Sequence, residues 1–110
     1  MNNIKVLLLK EAHEFVVGLP EGSKKKVLNI IRLVKRGYRD PKFFKKLQGT
    51  EIWEFRAEYE SNAYRLLAFW DKEKRSLVVA THGFAKKDQK TPKKEIKKAE
   101  QIRQEYMNIK

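Results

Sequence analysis

The stretch Ile52-Trp53-Glu54-Phe55-Arg56-Ala57-Glu58-Tyr59-Glu60-Ser61-Asn62-Ala63-Tyr64-Arg65 decides the fold. Its first eight residues alternate, with Trp53, Phe55, Ala57 and Tyr59 on one side and Ile52, Glu54, Arg56 and Glu58 on the other. That is the period of a half-buried strand. Glu60-Ser61 has the length of a tight hairpin turn, and Ala63–Trp70 reads as the returning strand. If Tyr59 faces Asn62, Arg56 lies directly opposite Arg65. The other face then collects Trp53, Phe55, Ala57, Tyr64, Leu66 and Ala68, a sensible core side.

Reading forward, Asp71-Lys72-Glu73-Lys74 joins this hairpin to a third strand, Arg75–Phe84. A four-residue loop preserves the alternation and predicts that His82 pairs with Ala63. Arg56, Arg65 and His82 then share one face. Thr91-Pro92 predicts a last helix with Thr91 as N-cap and Pro92 at its first position, and with Ile96, Ala99, Ile102, Tyr106 and Ile109 on one stripe.

Reading backward, Lys45-Lys46-Leu47 is extended, and Ile4–Leu9, apolar but for Lys5, reads as a short buried strand covered on both faces. Between them Ala12, Phe15, Val16 and Leu19 fall on one face of a helix. Leu19-Pro20-Glu21-Gly22 breaks it, and a second helix opens at Ser23 or Pro20. Its buried face is Val27, Ile30, Ile31 and Val34, and Gly37 closes it. The order is β-α-α-β-β-β-α. It predicts an α+β fold in one domain, residues 1–110, with a helical hairpin and a C-terminal helix packed on a small, mainly antiparallel sheet.

Composition narrows the function. Lys and Arg number 26 against 14 Asp and Glu, a net charge of +12. So basic a chain fits a polyanion as partner. There is no cysteine and there are only two histidines, His13 and His82, so no metal cage and no cofactor is expected. The N-terminal apolar run is too short for a signal peptide or a membrane span, which points to the cytoplasm and to no membrane partner. Glycine-rich phosphate loops and nucleophile triads are missing from the sequence.

Two arginines directly opposite each other repel, by about 0.2–1 kcal/mol. Either Glu54 and Glu58 neutralise them or the face awaits a phosphate, for which the guanidinium fork is suited. His82 is a hydrogen-bonded structural histidine or an acid–base group. Phe84 is an edge aromatic or a platform for a base. Lys86 and Lys87 leave the sheet at this end. Lys90, Lys93, Lys94, Lys97 and Lys98 read as a solvated face that steers RNA by charge. Lys24, Lys25 and Lys26 read as solvated only.

With these residues in hand, the chain resembles the RelE/ParE superfamily of small bacterial toxins. More narrowly, Lys45-Lys46-Leu47, Ile52-Trp53-Glu54-Phe55-Arg56, Asn62-Ala63-Tyr64-Arg65 and His82-Gly83-Phe84-Ala85-Lys86-Lys87, followed by Lys90-Thr91-Pro92, resemble its phage-derived, HigB-like branch. The resemblance implies the toxin of a type II toxin–antitoxin system, a metal-independent endoribonuclease that cuts mRNA on the ribosome and inhibits translation. It implies a cognate antitoxin, in this branch a helix-turn-helix protein. It places Arg56, Arg65, His82, Lys86 and Lys87 at the scissile phosphate, and Lys45, Lys46, Phe84, Lys90, Lys93 and Lys94 along the RNA. Tyr64 matches a motif tyrosine, but alternation assigns it to packing. The best-known members carry lysines where this chain has Ile52 and Glu54. The general base is therefore His82, Glu54, or Lys86 or Lys87 with a lowered pKa. The alternative functions are a ParE-like gyrase inhibitor and a basic binding protein that does not cleave.

Overall fold

A computed structural model describes residues 3–74, 76–87 and 90–109. The elements are β1 (Lys5–Leu8), α1 (Lys10–Val17), α2 (Glu21–Lys35), β2 (Phe44–Lys46), β3 (Trp53–Tyr59), β4 (Asn62–Trp70), β5 (Leu77–Lys86) and α3 (Lys93–Ile109). The five strands form one sheet in the order β1-β5-β4-β3-β2. Only the β1–β5 pairing is parallel.

The β3–β4 hairpin has the expected register, with Tyr59 opposite Asn62 and Arg56 opposite Arg65. Its turn residues Glu60 and Ser61 both have positive φ, 48° and 67°. Those angles let the turn follow the right-handed twist of the strands. On one face Phe55, Ala57, Tyr64, Leu66 and Ala68 pack against Ala12 and Val16 of α1 and Val27, Ile30, Ile31 and Val34 of α2. On the other, Leu67, Phe69 and Val79 pack against Ala99 of α3, with Ile52 beside them and Ile96, Tyr106 and Met107 alongside.

Two of the helices differ in detail from the sequence reading. Pro20, rather than Ser23, precedes α2, and Gly37 follows its end at φ 98°. Ser23 lies inside the helix, buried, and its hydroxyl meets the Tyr64 hydroxyl at 2.9 Å. Helix α3 begins at Lys93, one residue later than expected, with the Pro92 carbonyl accepting from the Glu95 and Ile96 amides. Thr91 is drawn elsewhere, because its hydroxyl donates to Glu54 Oε1 at 2.8 Å. The apolar stripe of α3 stops at Met107, and Ile109 is exposed.

Strand β1 is a correction. It spans Lys5–Leu8 and is not covered on both faces, since its residues alternate between exposed and half-buried. It is an outer strand of the sheet, as β2 is at the other edge, and pairs on one side only.

The register of β5 is a second correction. His82 lies opposite Leu67, and Ala63 lies opposite Lys86. The β4–β5 connection is longer than four residues because the Asp71 carboxylate accepts from the Glu73 and Lys74 amides, and the Asp71 amide bonds the Leu77 carbonyl. Residues 72–74 and 76 are thereby kept out of the ladder. The strand start expected at Arg75 lies outside the described residues. The longer connection alone would reverse the faces of β5. A bulge reverses them back: Ala68 faces Ala80 while the next residue, Leu67, faces His82, leaving Thr81 as the extra residue. His82 therefore does share the face of Arg65, by two offsetting irregularities. Strand β5 also runs two residues past Phe84, so Lys86 belongs to the sheet.

Candidate active site

Arg56 and Arg65 sit side by side in the centre of the β3–β4 hairpin. Strand alternation holds both on the face away from α1 and α2. Arg65 is 3% exposed. Its Nη1 donates to the Tyr64 carbonyl at 3.0 Å, and its Nε lies 3.6 Å from Glu54 Oε1. That separation is an ion pair but not a hydrogen bond. Arg56 is half-buried, and its Nη1 reaches the Pro41 carbonyl at 3.3 Å. The Nε atoms of both arginines are buried without a hydrogen-bond partner. A buried donor left unmade costs about 1–3 kcal/mol, more when charged. Both neutralisation and vacancy are thus present: Glu54 pairs with Arg65, and donor capacity remains.

Glu54 is 3% exposed and is held by the Arg65 guanidinium and the Thr91 hydroxyl. It ties the hairpin to the segment that enters α3. Register places Lys45 beside Glu54 on this face, whereas Lys46 pairs with Trp53 and so turns to the other face. Both are exposed.

Lys86 completes the group. Burial pushes its ammonium down from the usual value; Arg65, Arg56 and Lys45 push the same way, and Glu54 opposes them. Burial likewise lowers Arg65, with Glu54 and Glu58 opposing and Arg56 adding to the shift. Each shift is the mark of a cation set among cations in a partly dry place.

His82 is held apart from this group. It is 3% exposed; its Nδ1 is 3.0 Å from the Thr81 hydroxyl and its Nε2 is 2.9 Å from Glu95 Oε1 of α3. Both ring nitrogens are engaged. Phe84 lies opposite Arg65, half-buried against the α3 core, with its ring centre 6.3 Å from that of His82. Gly83 points to the opposite face, where the Phe15 ring of α1 occupies the space a Cβ would need. Lys87, Lys90, Lys93 and Lys94 are exposed around this end of the sheet.

An open cleft of about 300 Å³ adjoins the arginines. Arg56, Arg65 and Glu58 form one wall. The other is made by Phe43 and Lys42 ahead of β2 and by Ile30 and Lys26 of α2. Lys26 is therefore not merely solvated, as its sequence context suggests. The packing of α2 on β3 carries it to the cleft, and no pattern in its own helix signals this. Among the described residues no cluster of His, Asp or Glu could hold a metal ion, and no helix is long and apolar enough to cross a membrane.

Residues 14–104 match the family model described as phage-derived protein Gp49-like (DUF891). No curated protein matches the chain. A chain in the crystal structure of the RelBE2 toxin–antitoxin complex from Mycobacterium tuberculosis superposes with a TM-score of 0.50 at 18% identity, covering 76% of this chain and 99% of that one. Since the family model spans most of the sequence and the superposition spans nearly all of the neighbour, the chain belongs to the phage-derived Gp49-like family and has a RelE-like toxin fold.

Proposed function

We propose that this protein is the toxin of a toxin–antitoxin pair and that it acts as an endoribonuclease on mRNA. The observation that carries the reading is the Arg56–Arg65 pair, two adjacent guanidinium groups that line an open cleft. Family and fold support the toxin role, and the charge of +12 supports an RNA substrate. The partner is an antitoxin of the helix-turn-helix kind, and the ribosome presents the mRNA.

The reaction uses the substrate's own 2′-hydroxyl as nucleophile on the adjacent phosphorus, leaving a 2′,3′-cyclic phosphate and a free 5′-hydroxyl. Arg56 and Arg65 bind the phosphoryl oxygens and stabilise the charge that grows on them. Glu54, buried and tied down on two sides, orients Arg65. Lys86 accepts the 2′-hydroxyl proton, and its lowered pKa is the shift an amine needs for that task. Lys45 and Lys87 are cations at the rim for phosphate contact and for protonating the leaving 5′-oxygen. His82, with both nitrogens occupied, is assigned to fastening β5 to α3 rather than to proton transfer.

Arg65→Lys tests the reading, because it keeps a cation beside Glu54 and removes the fork. Its cleavage rate should fall by about 10²–10³-fold, the usual loss for one such donor, with the circular dichroism spectrum unchanged. RNA in which every 2′-hydroxyl is methylated should bind and remain whole. Cutting of that RNA would sink the mechanism, and full toxicity of the Arg65 variant would move the site elsewhere.

A further inference from the structure

Strand β2 covers little of its neighbour. Its ladder reaches Phe44 opposite Phe55, and one more bond runs from the Arg56 amide to the Phe43 carbonyl at 2.8 Å. Past that point the outer edge of β3 has no β2 partner, and the cleft opens there. The cleft is lined from both sides of the sheet: α2, which packs on the far face, contributes Lys26 to the same space as Arg56 and Arg65.

The charge balance in this space is uneven. Lys26, Lys42, Arg56 and Arg65 line it against one carboxylate, Glu58. Neither lysine ammonium forms an ion pair among the described residues. Lys26 is half-buried, its stem packed along the cleft wall. The 97% buried side of the cleft is Arg65, whose Nε has no hydrogen-bond acceptor. Four cations around one carboxylate, two of them lysines without an ion-pair partner among the described residues, mark an anion site.

We propose that Lys26 and Lys42 form a second phosphate subsite, which holds the phosphodiester next to the one that Arg56 and Arg65 engage. The RNA strand then runs from the β5 end of the sheet, past the arginine pair, and over the open edge of β3 towards α2. This rests on the ribonuclease reading above and adds to it the path of the strand and two residues outside the motif segments. Phe43 and Ile30 give the subsite an apolar wall on which a sugar or base can rest.

The probe is a fluorescent, fully 2′-O-methylated oligoribonucleotide, with binding followed by anisotropy over a range of salt concentrations. Lys26→Ala and Lys42→Ala should each weaken binding. Each should also lower the slope of log affinity against log salt by about 0.7, the value for one phosphate contact on a single strand. Lys26→Arg should restore the slope. Lys5→Ala, an exposed cation on the opposite edge of the sheet, should leave it unchanged. Melting temperatures should stay at the wild-type value, since neither ammonium has an ion-pair partner to lose. If both alanine variants match Lys5→Ala while the wild type binds this probe and cleaves unmodified RNA, the subsite is wrong and the ribonuclease reading stands. If the wild type neither binds nor cleaves RNA, both are wrong.

Discussion

The two faces of the sheet are built to different ends. The face under α1 and α2 is hydrocarbon almost throughout, and its polar groups, such as the Ser23–Tyr64 hydroxyl pair, are matched internally. The face under α3 is apolar only along part of its length. Beyond Leu67 it passes into Arg65, Arg56 and Lys86, where like charges gather and donors stay unmade. The first face stores stability. The second gives some up, because it holds like charges side by side and leaves buried donors unmade.

That contrast can be broken from either side. The largest effect is expected at Lys86. Lys86→Arg keeps the charge but cannot become neutral, so cleavage should fall by about 10²–10⁴-fold, the usual range for a lost acid–base group. In the wild type the rate should climb with pH through the lowered pKa of Lys86, below 10.5, because the neutral amine is the active form. A pH–rate profile of the variant should lack that limb. The same shift costs the fold stability below the lowered pKa, where Lys86 is charged in both states; the cost fades as pH rises from that lowered value and is gone above the unfolded one.

Next comes the dry face. Phe55 is 2% exposed and packs tilted against Phe44 with ring centres 4.7 Å apart. Phe55→Ala should lower stability by about 3–5 kcal/mol in urea titration, yet the folded fraction should still cleave. If instead the folded variant lost cleavage, the two faces would not be separable. Gly83→Ala forces a methyl group into the space of the Phe15 ring and should cost about 1–3 kcal/mol, again read by urea. The smallest effect is at the surface. The Lys98–Glu11 pair, 2.6 Å long, joins α3 to α1 with both side chains about half exposed. Lys98→Ala should cost about 0.2–1 kcal/mol. The hydrogen bond from Lys98 holds the Glu11 carboxyl below its usual pKa. The contribution is thus present at neutral pH and is lost as pH falls through that lowered value.

Local rules carried the sequence reading where they were sufficient. The β3–β4 hairpin was legible because a two-residue turn fixes every partner beyond it, and the Arg56–Arg65 pair came with it. Helix α2 was legible from Val27, Ile30, Ile31 and Val34, all of which are buried. The β4–β5 register was not, because Asp71 shapes the loop through its side chain and Thr81 is inserted mid-strand without a glycine or proline to announce it. The involvement of Glu54 with Thr91, of His82 with Glu95, and of Lys26 with the cleft all depend on contacts between elements distant in sequence. No periodicity within one element encodes such contacts.

The bulge at Thr81 has a consequence for how the chain can change length. Residues 72–74 lie outside the ladder, so additions there alter no partner and leave both faces intact. Loss of Thr81 would close the bulge, with Ala80 still opposite Ala68 and His82 still opposite Leu67, so every later residue of β5 would keep its partner. Gly83 would stay against the Phe15 ring and Lys86 on the face of the arginines. The threonine is thus a spare residue in the count, one that the strand can shed without moving the site.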